Sequence, residues 1–422
     1  MIDCNLVLKG GVTSGLVWAG AFPPLAARYR FRAVAGSSAG AIAAAFCAAA
    51  EYARVRGDPA GFERLQARCA ELPTRLPDLF QASPPFERLM RALVRLAPGT
   101  GRARIVEAVL AFWPTLLAGA LLGLLLGAPE LLGAVFGAAA GAVFALAGHL
   151  AWLLVREAPR HNFGLCSGLS RTGRPALTDW LHDSLQAISR LDRPLTFGDL
   201  AGAGIDLRLV TTNLSTSRPE VSPELGAGLD FRPAEWARLF PAEVMTALPV
   251  DDLAPIPVGD ALPVLVAVRM SLACPALMEA VPAVAPGGAR VWFSDGGLTT
   301  NFPFELFEAD ARLTLGLDLD TLHPADAHLP RVRELDPAEV DRPPDLTTLR
   351  PFVWSLLVAL REGRLRAAAR APGRRARIYQ ARLTADEGGM NLAMTEGEAR
   401  KLMDYGATLG AHIVAAEAAR AQ

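Results

Sequence analysis

Ser38 is the residue whose surroundings best suit nucleophilic chemistry. It lies in Gly36-Ser37-Ser38-Ala39-Gly40, a G-x-S-x-G pattern. Phe31 to Ala35 before it reads as a buried strand, and the alanine-rich run after it reads as a helix. A strand, a sharp turn and a helix are what a nucleophile elbow requires. The turn lifts Ser38 Oγ above the sheet edge, and a Cβ at Gly36 or Gly40 would crowd the flanking strand and helix. The helix start, at Ala39, aims free N–H groups and a positive dipole end at any oxyanion formed there. A plain strand–turn–helix corner would carry the same local pattern.

Two further stretches could take part. Lys9-Gly10-Gly11-Val12-Thr13-Ser14-Gly15 follows an apolar strand, Cys4 to Leu8. Such a loop is either an anion cradle of converging amides or simply a tight turn into the next helix. Asp295-Gly296-Gly297 closes the strand Arg290 to Ser294, with Asn301 and Pro303 just after.

The elements that must position these residues alternate. Strands are expected at 205–212, 313–319 and 377–383, and helices at 16–29 (bent or interrupted at Pro23-Pro24), 177–188, 353–369 and 395–419. Residues 58–107 read as polar and helical, and 321–351 as a proline-rich, charged excursion. Short strands alternating with helices predict an α/β fold with a largely parallel sheet.

The chain has 422 residues and a net charge of -1, which gives no basic field for nucleic acid. Its mean hydropathy of +0.27 is high for a soluble protein. Five cysteines are scattered without metal-binding spacing, which fits a reducing cytoplasmic compartment. The strand at Cys4 leaves no room for a signal peptide ahead of it. No cofactor or metal is implied.

Between the serine and the aspartate the composition changes. Ala108 to Gly127 and Leu131 to Val155 are apolar runs, broken by Pro129-Glu130. Each is long enough to cross a hydrocarbon core, for which ~20 residues suffice. Gly119, Gly123 and Gly127 in the first and Gly133, Gly137 and Gly141 in the second recur every fourth residue, a face that lets membrane helices approach closely. Arginines crowd the outer flanks (Arg102, Arg104, Arg156, Arg160) and the turn has none. This predicts two membrane helices with both ends cytoplasmic, and a surface for homo-oligomers. A soluble hairpin buried under a cap or in a dimer is the alternative. His149 falls near the end of the second run, where it snorkels or pairs.

Taken in order, these pieces resemble the patatin-like phospholipases. The resemblance rests on Gly10-Gly11, Gly36-x-Ser38-x-Gly40, the turn Arg269 to Pro275, and Asp295-Gly296-Gly297 with Asn301-x-Pro303. Leu195 to Leu200, Arg269-Met-Ser-Leu and Glu387 to Leu392 look like a bacterial branch with an inserted hydrophobic hairpin. The resemblance implies a three-layer α/β/α fold and a Ser–Asp dyad, with Ser38 as nucleophile and Asp295 as general base. A positioned carboxylate can take the serine proton. It further implies an oxyanion hole from amides of Gly10, Gly11, Val12 and Ala39. Val12 and Ser14 stand where the family loop usually has a glycine and a basic residue. On this reading 1–107 carries the loop and elbow, 108–155 the hairpin, and 156–422 the aspartate and last helices.

Three functions are consistent with the sequence. The first is a lipid acyl hydrolase on phospholipid or lysophospholipid, held at the cytoplasmic side of a bacterial inner membrane. The second is a Ser-His-Asp esterase using His323, His328 or His412. The third is a membrane-bound scaffold or effector without activity.

Overall fold

The computed structural model describes residues 1–11, 15–95, 107, 109–127, 130–322, 328, 330–335, 377–384, 387 and 394–422. Val12, the 353–369 helix and most of Glu387 to Leu392 lie outside them. The described chain forms two compact units. One comprises Met1–Leu79, Gly168–Cys274 and Ala280–Gln422, and the other Phe80–Ser167 and Pro275–Glu279.

The larger unit is built on β1 (Ile2–Leu8), α1 (Gly15–Arg28), β2 (Tyr29–Ser37), α2 (Ala39–Val55), α3 (Leu177–Ser189), β3 (Asp206–Asn213), α4 (Val264–Ser271), β4 (Val281–Val284), β5 (Arg290–Ser294), β6 (Leu313–Thr321), β7 (Arg377–Leu383) and α5 (Glu396–Arg420). Every residue from Cys4 to Leu8 is buried, so β1 is covered on both faces. Val7, Ala33 and Ala35 pack against Phe302, Phe304 and Phe307 on one of them.

The sheet is mixed rather than largely parallel. Strands β7, β6, β1, β2 and β3 run parallel in that order. Beyond β3 the direction reverses: β5 is antiparallel to β3, and β4 to β5. The cause is local. A tight turn closes between Ala285 and Ala289, with Gly287 and Gly288 at positive φ, and a hairpin must invert the chain. Strand β4 reads Val-Pro-Ala-Val, and its proline hides it from a sequence reading.

Helix α1 runs unbroken through Pro23 and Pro24. Its packing against α5 explains this. A Cβ on Gly20 would lie 1.9 Å from Met403 O, and one on Gly406 would lie 1.9 Å from Val17 O. The two backbones are as close as glycine permits, and this tertiary contact outweighs the local cost of proline.

In the smaller unit, Trp113–Leu126 and Leu131–Trp152 form an antiparallel hairpin. The glycine faces meet each other. A Cβ on Gly123 would lie 2.0 Å from Gly137 O, and one on Gly141 would lie 2.1 Å from Gly119 O. The stripes thus pack against each other within one chain. The outer faces stay exposed, with Leu125, Leu131 and Phe144 each more than three-quarters accessible.

The first helix is shorter than the apolar run suggested. Pro114 lies in its first turn, where a missing N–H costs nothing, so the helix starts there instead of kinking. Its 14 residues rise about 21 Å, against a hydrocarbon core of about 30 Å. Among the described residues one helix, Leu131–Arg160, is long and apolar enough to cross a membrane. The structure thus gives one such helix beside a shorter apolar one, Trp113–Leu126, and does not by itself establish a pair of membrane-crossing helices. His149 meets Phe112 edge-on and lies tilted against Trp152 at the base of the hairpin.

Glu387 ties α5 to the last strand pair. Its carboxylate accepts from Lys401 Nζ at 2.7 Å, Thr384 N at 3.0 Å, Tyr405 Oη at 3.3 Å, and Arg331 Nη1. Burial alone would raise this carboxyl, but the Lys401, Thr384 and Arg331 hydrogen bonds outweigh it and bring it from 4.5 to about 2. A depressed folded value means the stabilisation is whole above pH 4.5 and is lost as pH falls toward 2. Denaturant melts between pH 6 and pH 3 should show Glu387→Gln removing about 2 kcal/mol at the upper end, with a shrinking difference at the lower. An equal difference at both pH values would contradict this assignment.

Candidate active site

The elbow follows from close packing at the carboxyl ends of β1 and β2, which are adjacent and parallel with Leu8 opposite Gly36. A Cβ on Gly36 would lie 2.2 Å from Gly40 O, and one on Gly40 would lie 2.4 Å from Leu8 O. Neither position tolerates a side chain. Ser38 is left at φ 56 and ψ -133. A non-glycine residue there costs about 1–3 kcal/mol and persists only where its surroundings enforce it. Ser38 sits at the N-cap of α2, yet its side chain does not cap the helix.

The hydroxyl points elsewhere. Ser38 Oγ donates to Asp295 Oδ2 at 2.7 Å. Both residues are 7 % exposed. Strand register explains how they meet. Ser37 is level with Val210 of β3, and Ser294 is opposite Thr212 of the same strand. The two residues therefore arrive at one height on strands flanking β3, about 10 Å apart, and their side chains close over its end.

Asp295 is held from several sides. Its Oδ1 accepts from Gly297 N at 2.8 Å, which orients the carboxylate. Its backbone N donates to Ala273 O at 3.0 Å, and its carbonyl accepts from Thr212 Oγ1 at 2.8 Å. Gly296 is required because a Cβ there would lie 1.9 Å from Val210 O.

The glycine loop adjoins the elbow. A Cβ on Gly10 would lie 2.5 Å from Ser37 O and 2.9 Å from Ser38 Cβ. The Gly10 amide is engaged, donating to Asn301 O at 3.2 Å, while Asn301 Nδ2 donates to Gly10 O at 3.4 Å. Asn301 therefore braces this loop. Gly11 follows at the loop's edge, and Ala39 opens α2 with an amide that has no intrahelical acceptor. Lys9 leads into the loop from a buried ion pair, Nζ to Asp318 Oδ1 at 2.8 Å.

The expected serine and aspartate are thus brought together, with Gly36, Gly40, Gly296 and Gly297 around them. Among the described residues, no histidine is joined to this pair. His412 packs edge-on against Tyr379, 6.1 Å between ring centres, and His328 makes no hydrogen bond to Ser38. His323 lies outside the described residues. Sequence reasoning gave no role to Ser271, whose Oγ accepts from Ser38 N at 3.0 Å, or to Thr212. The turn at 269–275 stands out in the sequence only as a motif, and nothing in its spacing says which residue reaches the elbow.

A family model described as patatin-like phospholipase matches residues 6–308. The chain is 32% identical to a protein of Rhizobium meliloti (strain 1021) named "RpoH suppressor", across 93% of this chain and 79% of that one. A looser likeness, TM-score 0.30 at 14% identity, is to the crystal structure of VipD from Legionella pneumophila; it covers 76% of this chain and only 50% of VipD. With its family model spanning both the elbow and the aspartate turn, the chain belongs to the patatin-like phospholipase family.

Proposed function

We propose that this chain is a serine lipid acyl hydrolase that cleaves carboxylic esters of phospholipids or lysophospholipids. The observation that carries the reading is the 2.7 Å hydrogen bond from Ser38 Oγ to Asp295 Oδ2, at an elbow strained to φ 56. As Ser38 Oγ attacks the ester carbonyl, its proton passes to Asp295 Oδ2. The carbonyl oxygen becomes an oxyanion, met by the Ala39 amide and the dipole of α2, with Gly10 and Gly11 alongside. Collapse expels the alcohol or lysolipid, which takes the proton back from Asp295, and leaves an acyl-Ser38 ester. Water, deprotonated by the same carboxylate, then releases the fatty acid and restores the hydroxyl.

The exposed apolar hairpin supports action at a bilayer. The most apolar 18-residue window of Leu131–Arg160 has a mean hydropathy of 2.0, and none of it is buried. Arginines at 102, 104, 156 and 160 on its outer flanks favour a cytoplasmic position for both ends, at the inner membrane of a bacterium.

Ser38→Ala and Asp295→Asn, each with an unchanged melting profile, should lower turnover of a phospholipid ester by at least about 1,000-fold. Only Ser38 should be labelled by a fluorophosphonate. A folded wild-type protein that neither turns over lipid nor takes the label would instead support a scaffold role. The full chain should sediment with membranes through a carbonate wash, and a variant lacking 113–152 should stay in the supernatant. Wild-type protein released by carbonate would remove the hairpin from the account.

A further inference from the structure

The turn that ends α4 touches both halves of the Ser38–Asp295 pair. Ser271, the last residue of α4, is fully buried. Its Oγ donates to Val210 O at 2.6 Å and accepts from Ser38 N at 3.0 Å. Two residues on, Ala273 O accepts from Asp295 N at 3.0 Å and from Ser294 Oγ at 2.8 Å. One short segment therefore grips the serine through a side chain and the aspartate through a carbonyl.

We propose that Ser271 is a positioning residue for ester hydrolysis, setting the nucleophile of the elbow against its base. The inference rests on the Ser38–Asp295 reading above. Between an N–H and a C=O only a group that accepts on one side and donates on the other fits, and a hydroxyl does both. Here the N–H belongs to a residue in a strained conformation, and the C=O to β3, the strand the pair closes over. Ser271 thus fastens the strained corner to the strand that separates the two side chains. It has a second effect. With the Ser38 amide committed to Ser271, the Ala39 amide is the elbow donor left to meet the oxyanion. Without the hydroxyl, the buried Ser38 amide and Val210 carbonyl lose a shared partner and the corner is free to relax.

A buried serine that served stability alone would lower the melting temperature and leave turnover of the folded enzyme intact. The positioning role predicts the reverse weighting. Ser271→Ala in the full chain should lower kcat about 100-fold, the scale attached to a misplacement of about 1 Å, with KM within about twofold. Ser271→Thr, which keeps the hydroxyl, should recover most of that loss. Ser271→Cys, close in shape but a weak acceptor, should fall between; it is the decisive variant if the alanine protein does not fold. Wild-type kcat in a folded variant lacking the hydroxyl, or a change confined to KM or to melting temperature, overturns the proposal. Failure of the underlying reading looks different: wild-type and Ser38→Ala proteins would then be equally inactive.

Discussion

A hydroxyl and a carboxylate 257 positions apart must meet within hydrogen-bond distance over the end of a strand that belongs to neither. Side chains as short as serine and aspartate cannot search for each other across that gap. The backbones beneath them must already be at the right height, which the pairing of β2 and β5 with β3 ensures. The parallel half of the sheet delivers the serine at a carboxyl strand end, where such folds bind ligands. The reversed half delivers the aspartate from the opposite direction. A sheet parallel throughout would need a further crossover to bring Asp295 to this point, so the mixed topology is part of how the pair is made.

The same constraint explains the small residues. Gly10, Gly36, Gly40 and Gly296 each face a backbone oxygen closer than a Cβ allows. They permit loop, elbow and aspartate turn to converge within a few ångströms. Behind the elbow, α2 presents Ala41, Ala44, Ala45 and Ala48 to the core, so a helix can start immediately after the serine. Close packing of this kind leaves few alternative arrangements, and that rigidity holds Ser38 in a conformation it would otherwise leave.

What the sequence revealed follows from the range of the forces involved. The elbow was legible because strand, turn and helix are written within fifteen residues around Ser38. Asp295 was not; its motif is also that of a turn cap, and only its place in a family order singled it out. The reversal of the sheet was missed because Pro282 disguises β4. The break expected at Pro23-Pro24 is absent because α5, nearly 400 residues away, packs there through Gly406 and Gly410. Proline propensities are local, and these positions are decided by contacts far away in the chain. Pro114 acts in the other direction: it begins a helix and so shortens the hairpin. Ser271 lay in a stretch already noticed, but a hydroxyl bridging two backbones leaves no periodic trace.

In the hydrolysis proposed above, a base that is a carboxylate also changes what the rest of the site must supply. An imidazole has an unperturbed pKa of about 6.5 and a carboxylate about 3.9, so the carboxylate accepts a serine proton less readily. The missing driving force has to come from charge stabilisation at the oxyanion and from geometry that needs no adjustment during reaction. The structure is strongest in both respects. The start of α2 lies directly after Ser38, and Gly297, Thr212 and Ala273 fix the aspartate from three directions. A triad can tolerate some looseness because its histidine bridges two partners. A two-residue arrangement has no such intermediary, so the precision must be built into the backbone, and the glycines around Ser38 and Asp295 are where this chain builds it.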